Sequence, residues 1–283
     1  LRLISHIALL DNSRMYAWRG QRDASWPLSS SLFRRLEERD GSVTENSLRI
    51  EETRILAEAR NWGLGRDLGL SATDMHMLAV LQHHGLPTRL FDVTANPMTA
   101  LYFAIEPAPI PSDGGDAVET DGVIFAIDVT ESKWHETFQH TSTVTHDQLA
   151  RPLTAPWDAA IDASRSSGFF RVFSALPDER MKAQEGFFLG SAVPPSSEID
   201  GVRGINLTAG RRPIGAARLQ KLLDLENRGR GRPARVPFIA VVVPAKLKNK
   251  LRTPLKRTFN RRPRVMFPDV DGFREAFMHG RLD

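Results

Sequence analysis

Four clusters of polar residues in this sequence are of types that do chemistry. The first is Trp18-Arg19-Gly20-Gln21. An arginine at the end of a strand with a glycine after it places a guanidinium beside open backbone. That suits a phosphate or carboxylate gripped through a planar two-point fork, although a structural salt bridge at a strand end would use the same residues. The second cluster, residues 82–92, packs Gln82, His83, His84, Gly85, Pro87, Thr88, Arg89 and Asp92 into one helix-to-strand turn. Adjacent histidines on a helix point about 100° apart, which is poor geometry for one metal. With no cysteine and no third ligand at a suitable spacing, a zinc site is rejected. One of the two imidazoles can serve as hydrogen-bond donor or general base, and the other can cap the helix C-terminus, which favours a cation. Arg89 and Asp92 either pair with each other or serve the site. The third cluster includes Arg180, Gln184 and Glu185. A carboxylate or amide there can orient a hydroxyl or stabilise a cation; the alternative is a solvated polar pair at a helix end. The fourth, Phe267-Pro268-Asp269-Val270-Asp271-Gly272, reads as helix capping, because it lacks the remaining ligands of a calcium loop.

The elements that must position these residues follow from periodicity and breakers. The spacing predicts a short strand at 16–19 and a helix over 48–62 with Leu48, Ile55, Leu56, Ala59 and Trp62 along it. Ser71 followed by Asp74 predicts a cap, opening a helix that carries Met75, Leu78, Ala79 and Leu81 and is stopped by Gly85 and Pro87. Residues 88–94 are extended, and Asn96 then caps a helix with Pro97 at its first position. Strands are expected at 122–129, 169–173, 186–189 and 237–243, the last buried, and again at 265–267. Helices are expected near 177, over 214–227 and 245–259, and at the C-terminal end. Residues 107–121 read as a surface loop and 228–235 as a basic Gly/Pro loop; 132–167 give no clear pattern. Strands and helices mix without strict alternation, so the expected class is α+β: a mixed sheet with flanking helices, in a single domain over 1–283.

Composition bounds the rest. The chain has 283 residues, 41% of them hydrophobic and 25% charged, enough to bury a core without staples. It has no cysteine, which excludes disulfides and suits a reducing, cytoplasmic location. No apolar run is long enough to span a bilayer, so no membrane partner is expected. The net charge of +4 is unevenly placed: residues 203–264 hold 18 Lys and Arg against Asp224 and Glu226, while residues 106–147 hold nine acids and one lysine. The basic subregion is suited to a nucleic acid or other polyanion, or else it pairs with the acidic part inside the fold. Its few aromatics do not suggest a stacking platform for single strands.

Taken in order, these clusters resemble the FRG domain family, which is named for its aromatic-Arg-Gly start. The matching pieces are 16–21, 26–28, 31–34, the segment from Leu81 to Thr94, Asn96-Pro97 leading into 100–104, Arg180 with 184–188, Pro244 through Lys250, and 265–272. This chain has His84, Phe91 and Val93 where the family more usually has Tyr, Leu and Trp. The layout is similar to that of ADP-ribosyltransferases. There an early strand gives an Arg or His for the NAD phosphates and ribose, a later strand a small hydroxyl residue, and a final strand a Glu or Gln near the nicotinamide ribose. The resemblance implies NAD as substrate and no metal. It implies that Arg19, Gly20, Gln21, His84 and Arg89 bind NAD, and that His83, Thr88, Asp92, Gln184 and Glu185 act on it. A toxin or phage-defence effector would fit such chemistry. The reading from a different class is a non-catalytic nucleic-acid-binding or nucleotide-sensing module, in which the same arginines grip phosphates. On either reading, Arg19, His83, Thr88, Arg89, Asp92 and Gln184 are expected to converge on one pocket.

Overall fold

A computed structural model describes residues 1–8, 14–64, 73–108, 117–130, 132–135, 169–173, 179–195, 201–207, 217–218, 221 and 238–278. Along these residues run α1 (Arg2–Ala8), β1 (Tyr16–Gln21), α2 (Ser31–Asp40), α3 (Glu45–Asn61), α4 (Asp74–His83), β2 (Phe91–Thr94), α5 (Pro97–Ala104), β3 (Gly122–Asp128), β4 (Lys133–His135), β5 (Phe170–Val172), α6 (Glu179–Ala183), β6 (Gly186–Gly190), β7 (Phe238–Val243), α7 (Ala245–Arg257), α8 (Pro263–Met266) and α9 (Val270–Met278). The strands form one sheet in the order β4-β5-β6-β2-β1-β3-β7, antiparallel throughout except for β4 against β5. The class is therefore α+β with a mixed sheet, as the unalternating element order implies.

Side-chain alternation divides the core between the two faces of the sheet. Phe188 lies opposite Asp92, and Trp18 opposite Thr94. Because residues two apart on β2 share a face, Phe188 and Trp18 point to the same side. On that side α3 and α4 pack over Phe170, Val172 and Phe188, while α1, α5 and α7 pack over Tyr16, Trp18, Ile124, Ala126 and Ile239. The opposite face carries Ala17, Phe91, Val93, Phe125, Ile127, Phe187 and Leu189, covered by Leu28, Val202 and Ile205. Strand β3 is covered on both faces, which is why GVIFAID reads as one unbroken apolar run. Gly20 is required on the α5 side: a Cβ there would overlap the Ala100 carbonyl and crowd the Ala104 amide.

Local signals account for most element ends. Ser30 caps α2, its Oγ accepting from Phe33 N, and Thr44 with Ser47 forms a reciprocal cap on α3. Asn96 Oδ1 accepts from Met98 N and Pro97 occupies the first turn of α5, as expected. Gly85 adopts φ +81° just after α4.

Some expectations need correction. The cap of α4 is Thr73, whose Oγ1 accepts from His76 N; Ser71 lies outside the described residues. Residues 265–267 do not form a strand. Pro263 opens the short helix α8 there, since its fixed φ suits a first helical position and its missing N–H suits no ladder. Strand β7 is an edge strand, not a fully buried one, with Val242 54% exposed. The helix expected over 214–227 and the loop at 228–235 lie largely or wholly outside the described residues.

Candidate functional site

Strand β1 pairs with β3 along its whole length, from Tyr16↔Asp128 to Gln21↔Val123, but with β2 only at Trp18↔Thr94. The two central strands part beyond that bridge. Arg19 fills the gap: its Nη1 donates to the Asp92 carbonyl at 2.6 Å and stands 4.0 Å from Asp92 Oδ2. Its Nε is buried without a hydrogen-bond partner. Burial pushes the Arg19 guanidinium below its ordinary pKa; Asp92 opposes that shift only in part, and Arg34 adds repulsion. The Arg19 side chain is largely withdrawn from water, at 22% exposed, and Asp92, the one carboxylate beside it among the described residues, is itself 63% exposed. Such a group attracts an anion.

From Asp92 a hydrogen-bond chain runs into the 82–92 turn. Gln82 Nε2 donates to Asp92 Oδ2 at 3.2 Å, and Thr88 Oγ1 donates to Gln82 Oε1 at 2.8 Å. The Thr88 amide donates to Ser31 Oγ at 3.2 Å, which anchors the turn to the start of α2. Thr88 is fully buried, so its hydroxyl orients Gln82 and does not face a ligand. The imidazoles stand at the end of α4 edge to face, with ring centres 5.3 Å apart; His84 is the exposed C-cap, and His83 contributes to holding the Asp269 carboxyl low.

Gln184 and Glu185 stand one strand further, at the turn from α6 into β6. The Thr94 hydroxyl donates to Gln184 O at 2.6 Å, and the Ala95 amide to Glu185 O at 3.0 Å, which locks this turn to the end of β2. Glu185 has φ +51°, a left-handed conformation that costs an L residue about 1–2 kcal/mol. Its Oε1 accepts from Asn96 Nδ2 at 2.9 Å and from Arg261 Nη2 at 2.8 Å. Gln184 Nε2 donates to Met266 O at 2.9 Å. Nearby, Arg180 makes a two-point contact with Asp269, and Asp269 Oδ1 accepts from Gly272 N, the structural capping role read from sequence. Arg180 holds the Asp269 carboxyl below its ordinary value.

The structure thus brings Arg19, Gln82, Thr88 and Asp92 together, and sets Gln184 and Glu185 at the start of the strand beside β2. Three of the expected site residues take other positions. Arg89 does not pair with Asp92 and is not open to a ligand. It is 3% exposed, with Nε and Nη2 on Glu52 and Nη1 on Glu45 and Ser191 O, tying α3 to the β2 approach. Gly20 offers no open backbone, because α5 closes over it. Gln21 is 6% exposed, its Nε2 3.4 Å from Pro27 O and its Oε1 buried without a partner. Gln82 was singled out with its cluster but given no role. Three contributors lay outside the expected set, and of these Thr94 and Asn96 stand within or beside the motif segment and were open to recognition as polar groups flanking β2. Arg261 lies far along the chain, and no local pattern marks it.

The short β1–β2 ladder leaves Arg19 in the gap between the central strands, with Asp92 as its nearby carboxylate among the described residues. Residues 14–111 match the family model of the FRG domain, and the chain carries an FRG domain there. The match includes β1, β2, α5 and the 82–92 turn; Gln184, Glu185 and Arg261 lie beyond it. No curated protein and no solved structure matches the chain. Among the described residues no cluster of His, Asp or Glu is arranged to hold a metal ion, and no helix is long and apolar enough to cross a membrane.

Proposed function

We propose that this protein is an ADP-ribosyltransferase-like enzyme that splits NAD at the nicotinamide–ribose bond and passes ADP-ribose to a nucleic acid or protein, or to water. The observation that carries this reading is the adjacency of β1, β2 and β6. Arg19 on β1, Thr94 on β2, and Gln184 and Glu185 at the turn into β6 are far apart in sequence and are brought together by neighbouring strands of the sheet. Arg19 fits a diphosphate because its charge is desolvated and poorly compensated. Glu185 or Gln184 would stabilise the cationic sugar as nicotinamide leaves with the bonding electron pair, and an imidazole, His83 or His84, would take the acceptor's proton as the new bond to the sugar forms. A toxin or phage-defence effector is a setting that suits this reaction.

One observation favours a second reading, a nucleotide-sensing or nucleic-acid-binding module without chemistry. Glu185 is held by Arg261 and Asn96, and the Gln184 amide by Met266, so both groups are engaged as they stand. The exposed Lys246, Lys250 and Arg257 would then add contacts to phosphates.

The deciding experiment offers NAD labelled in the adenosine moiety, with total RNA, DNA and protein as acceptors, and measures nicotinamide release together with labelled product. Release that Arg19→Ala abolishes supports the enzyme. NAD binding without release from any acceptor class leaves the sensing module.

A further inference from the structure

A cavity of about 240 Å³, separate from the Arg19 gap, lies between the end of α5, α7, α8 and α9. We infer that it is a binding site for a small molecule joining a flat ring to a phosphate or carboxylate. The inference rests on this cavity alone and not on the function proposed for the Arg19 site.

The charge of the wall supplies the first argument. Arg252, Lys256, Arg261 and Arg262 line the cavity against two carboxylates, Glu106 and Glu275. Arginines elsewhere in the fold that leave a buried Nε unpartnered are still tied down by another nitrogen, as Arg171 is to Ser132 O and Arg14 to Asp128. Arg252, in this same wall, donates to Ile105 O at 2.8 Å and pairs with Glu119, and Arg180 grips Asp269 at two points. Arg262 departs from that pattern: its Nε is buried with no hydrogen-bond partner, and its side chain makes no ion pair among the described residues. The Nε of Arg261 is buried and unpartnered too, although its Nη2 reaches Glu185. Two adjacent arginines with unmet donors at a cavity wall are costly unless an acceptor enters.

Shape and the remaining lining supply the second argument. The rings of Tyr102 and Phe267, 6.4 Å apart, stand with Leu255 and Ala276 in the wall, which gives a flat ligand an apolar seat beside the charges. The volume is below the range of roughly 300–1,000 Å³ usual for drug-sized ligands, so one ring with its anion fits and a dinucleotide does not. Because Arg261 touches both the cavity and Glu185, an anion bound here competes with Glu185 for that guanidinium.

The probes are phenyl phosphate, benzoate and inorganic phosphate, titrated calorimetrically into the wild-type protein. At least one ring-bearing probe is expected to bind about tenfold or more tightly than inorganic phosphate, a preference of about 1.4 kcal/mol or more. Arg262→Gln should weaken it by about tenfold or more, Ala276→Phe should abolish it by filling the cavity, and Arg19→Ala should leave it unchanged. In the unmutated protein the same probe should shield Arg261 and Arg262 from phenylglyoxal, read by mass spectrometry, which decides the matter even if a variant fails to fold. Equal affinity for inorganic phosphate, loss of binding in Arg19→Ala, or no shielding at Arg261 and Arg262 overturns the site.

Discussion

Replacing Arg19 and replacing Arg89 should have different consequences. Arg89 is buried and bound to Glu52 and Glu45; burial pushes the Glu52 carboxyl up, and Arg89 opposes it. Arg89→Gln strands those carboxylates and should cost about 3–5 kcal/mol of stability, seen as a large fall in melting temperature. Arg19→Ala removes one hydrogen bond and one long ion pair, so it should cost about 1 kcal/mol while weakening NAD binding by at least about tenfold, measured by calorimetry. Arg19→Lys should rescue poorly, since an ammonium lacks the planar fork. Glu185 allows a separate test. Glu185→Gly relieves the left-handed backbone and gives up an exposed ion pair, so the melting temperature should stay within a few degrees, yet turnover should fall if the carboxylate stabilises the sugar cation. A folded Glu185→Gly protein with unchanged nicotinamide release removes Glu185 from the mechanism. The polar density of 82–92 was legible in the sequence, but the division of labour within it was not. Thr88 and Arg89 are both buried while Asp92 is exposed, and the partners that claim Arg89 sit about 40 residues earlier on α3.

At the scale of elements, the Gly20 question has a sharp answer. Its missing Cβ is what lets α5 lie on β1, so Gly20→Ala should destabilise by about 1–3 kcal/mol or more through overpacking. A ligand-contacting glycine would instead lose affinity with the melting temperature unchanged, and the two outcomes separate in one thermal scan with and without NAD. Helix α4 carries a pH dependence. His76 is fully buried, and burial pushes its pKa below the ordinary 6.5. The unfolded chain therefore takes up this proton first as the pH falls, so the His76 contribution is present above about pH 6.5 and is lost below it as the pH moves toward the folded value. Melting temperature should fall on acidification through that window, and part of the slope should vanish in His76→Leu. Periodicity and breakers revealed α3, α4, α5 and α7 because each has a one-sided apolar pattern or a capping residue, and β3 because its apolar run is continuous and rich in β-branched residues. They did not reveal α8 or the edge position of β7. A run of three apolar residues carries no period, and whether a strand is covered on one face or two depends on elements elsewhere in the chain.

Across the whole molecule, the basic subregion divides. Lys248 is 1% exposed, with Nζ donating to Arg22 O at 2.6 Å and lying 3.7 Å from Glu119; Arg252 also pairs with Glu119, and Arg203 with Glu37. These cations belong to the fold, and the acidic segment that holds Glu119 is part of what they answer. Lys246, Lys250 and Arg257 are exposed on α7 and, at 100° per residue, fall within about 40° of one another, so they form one stripe facing water. A polyanion held by this stripe releases its counterions, and each phosphate neutralised contributes about 0.7 (single strand) to 0.9 (duplex) to the slope of log affinity against log salt. Replacing all three residues by Gln should therefore lower that slope by about 2–3 and weaken RNA and DNA alike, since phosphate contacts carry no sequence information. Lys248→Met should behave in the opposite way, lowering the melting temperature through the lost buried contacts and leaving the salt slope of the folded protein unchanged. Filter binding at several salt concentrations, paired with thermal melts, measures both quantities on the same three proteins. A slope that is the same in the triple variant and the wild type would assign the charge of α7 to solubility and take nucleic acid off the list of partners for this stripe.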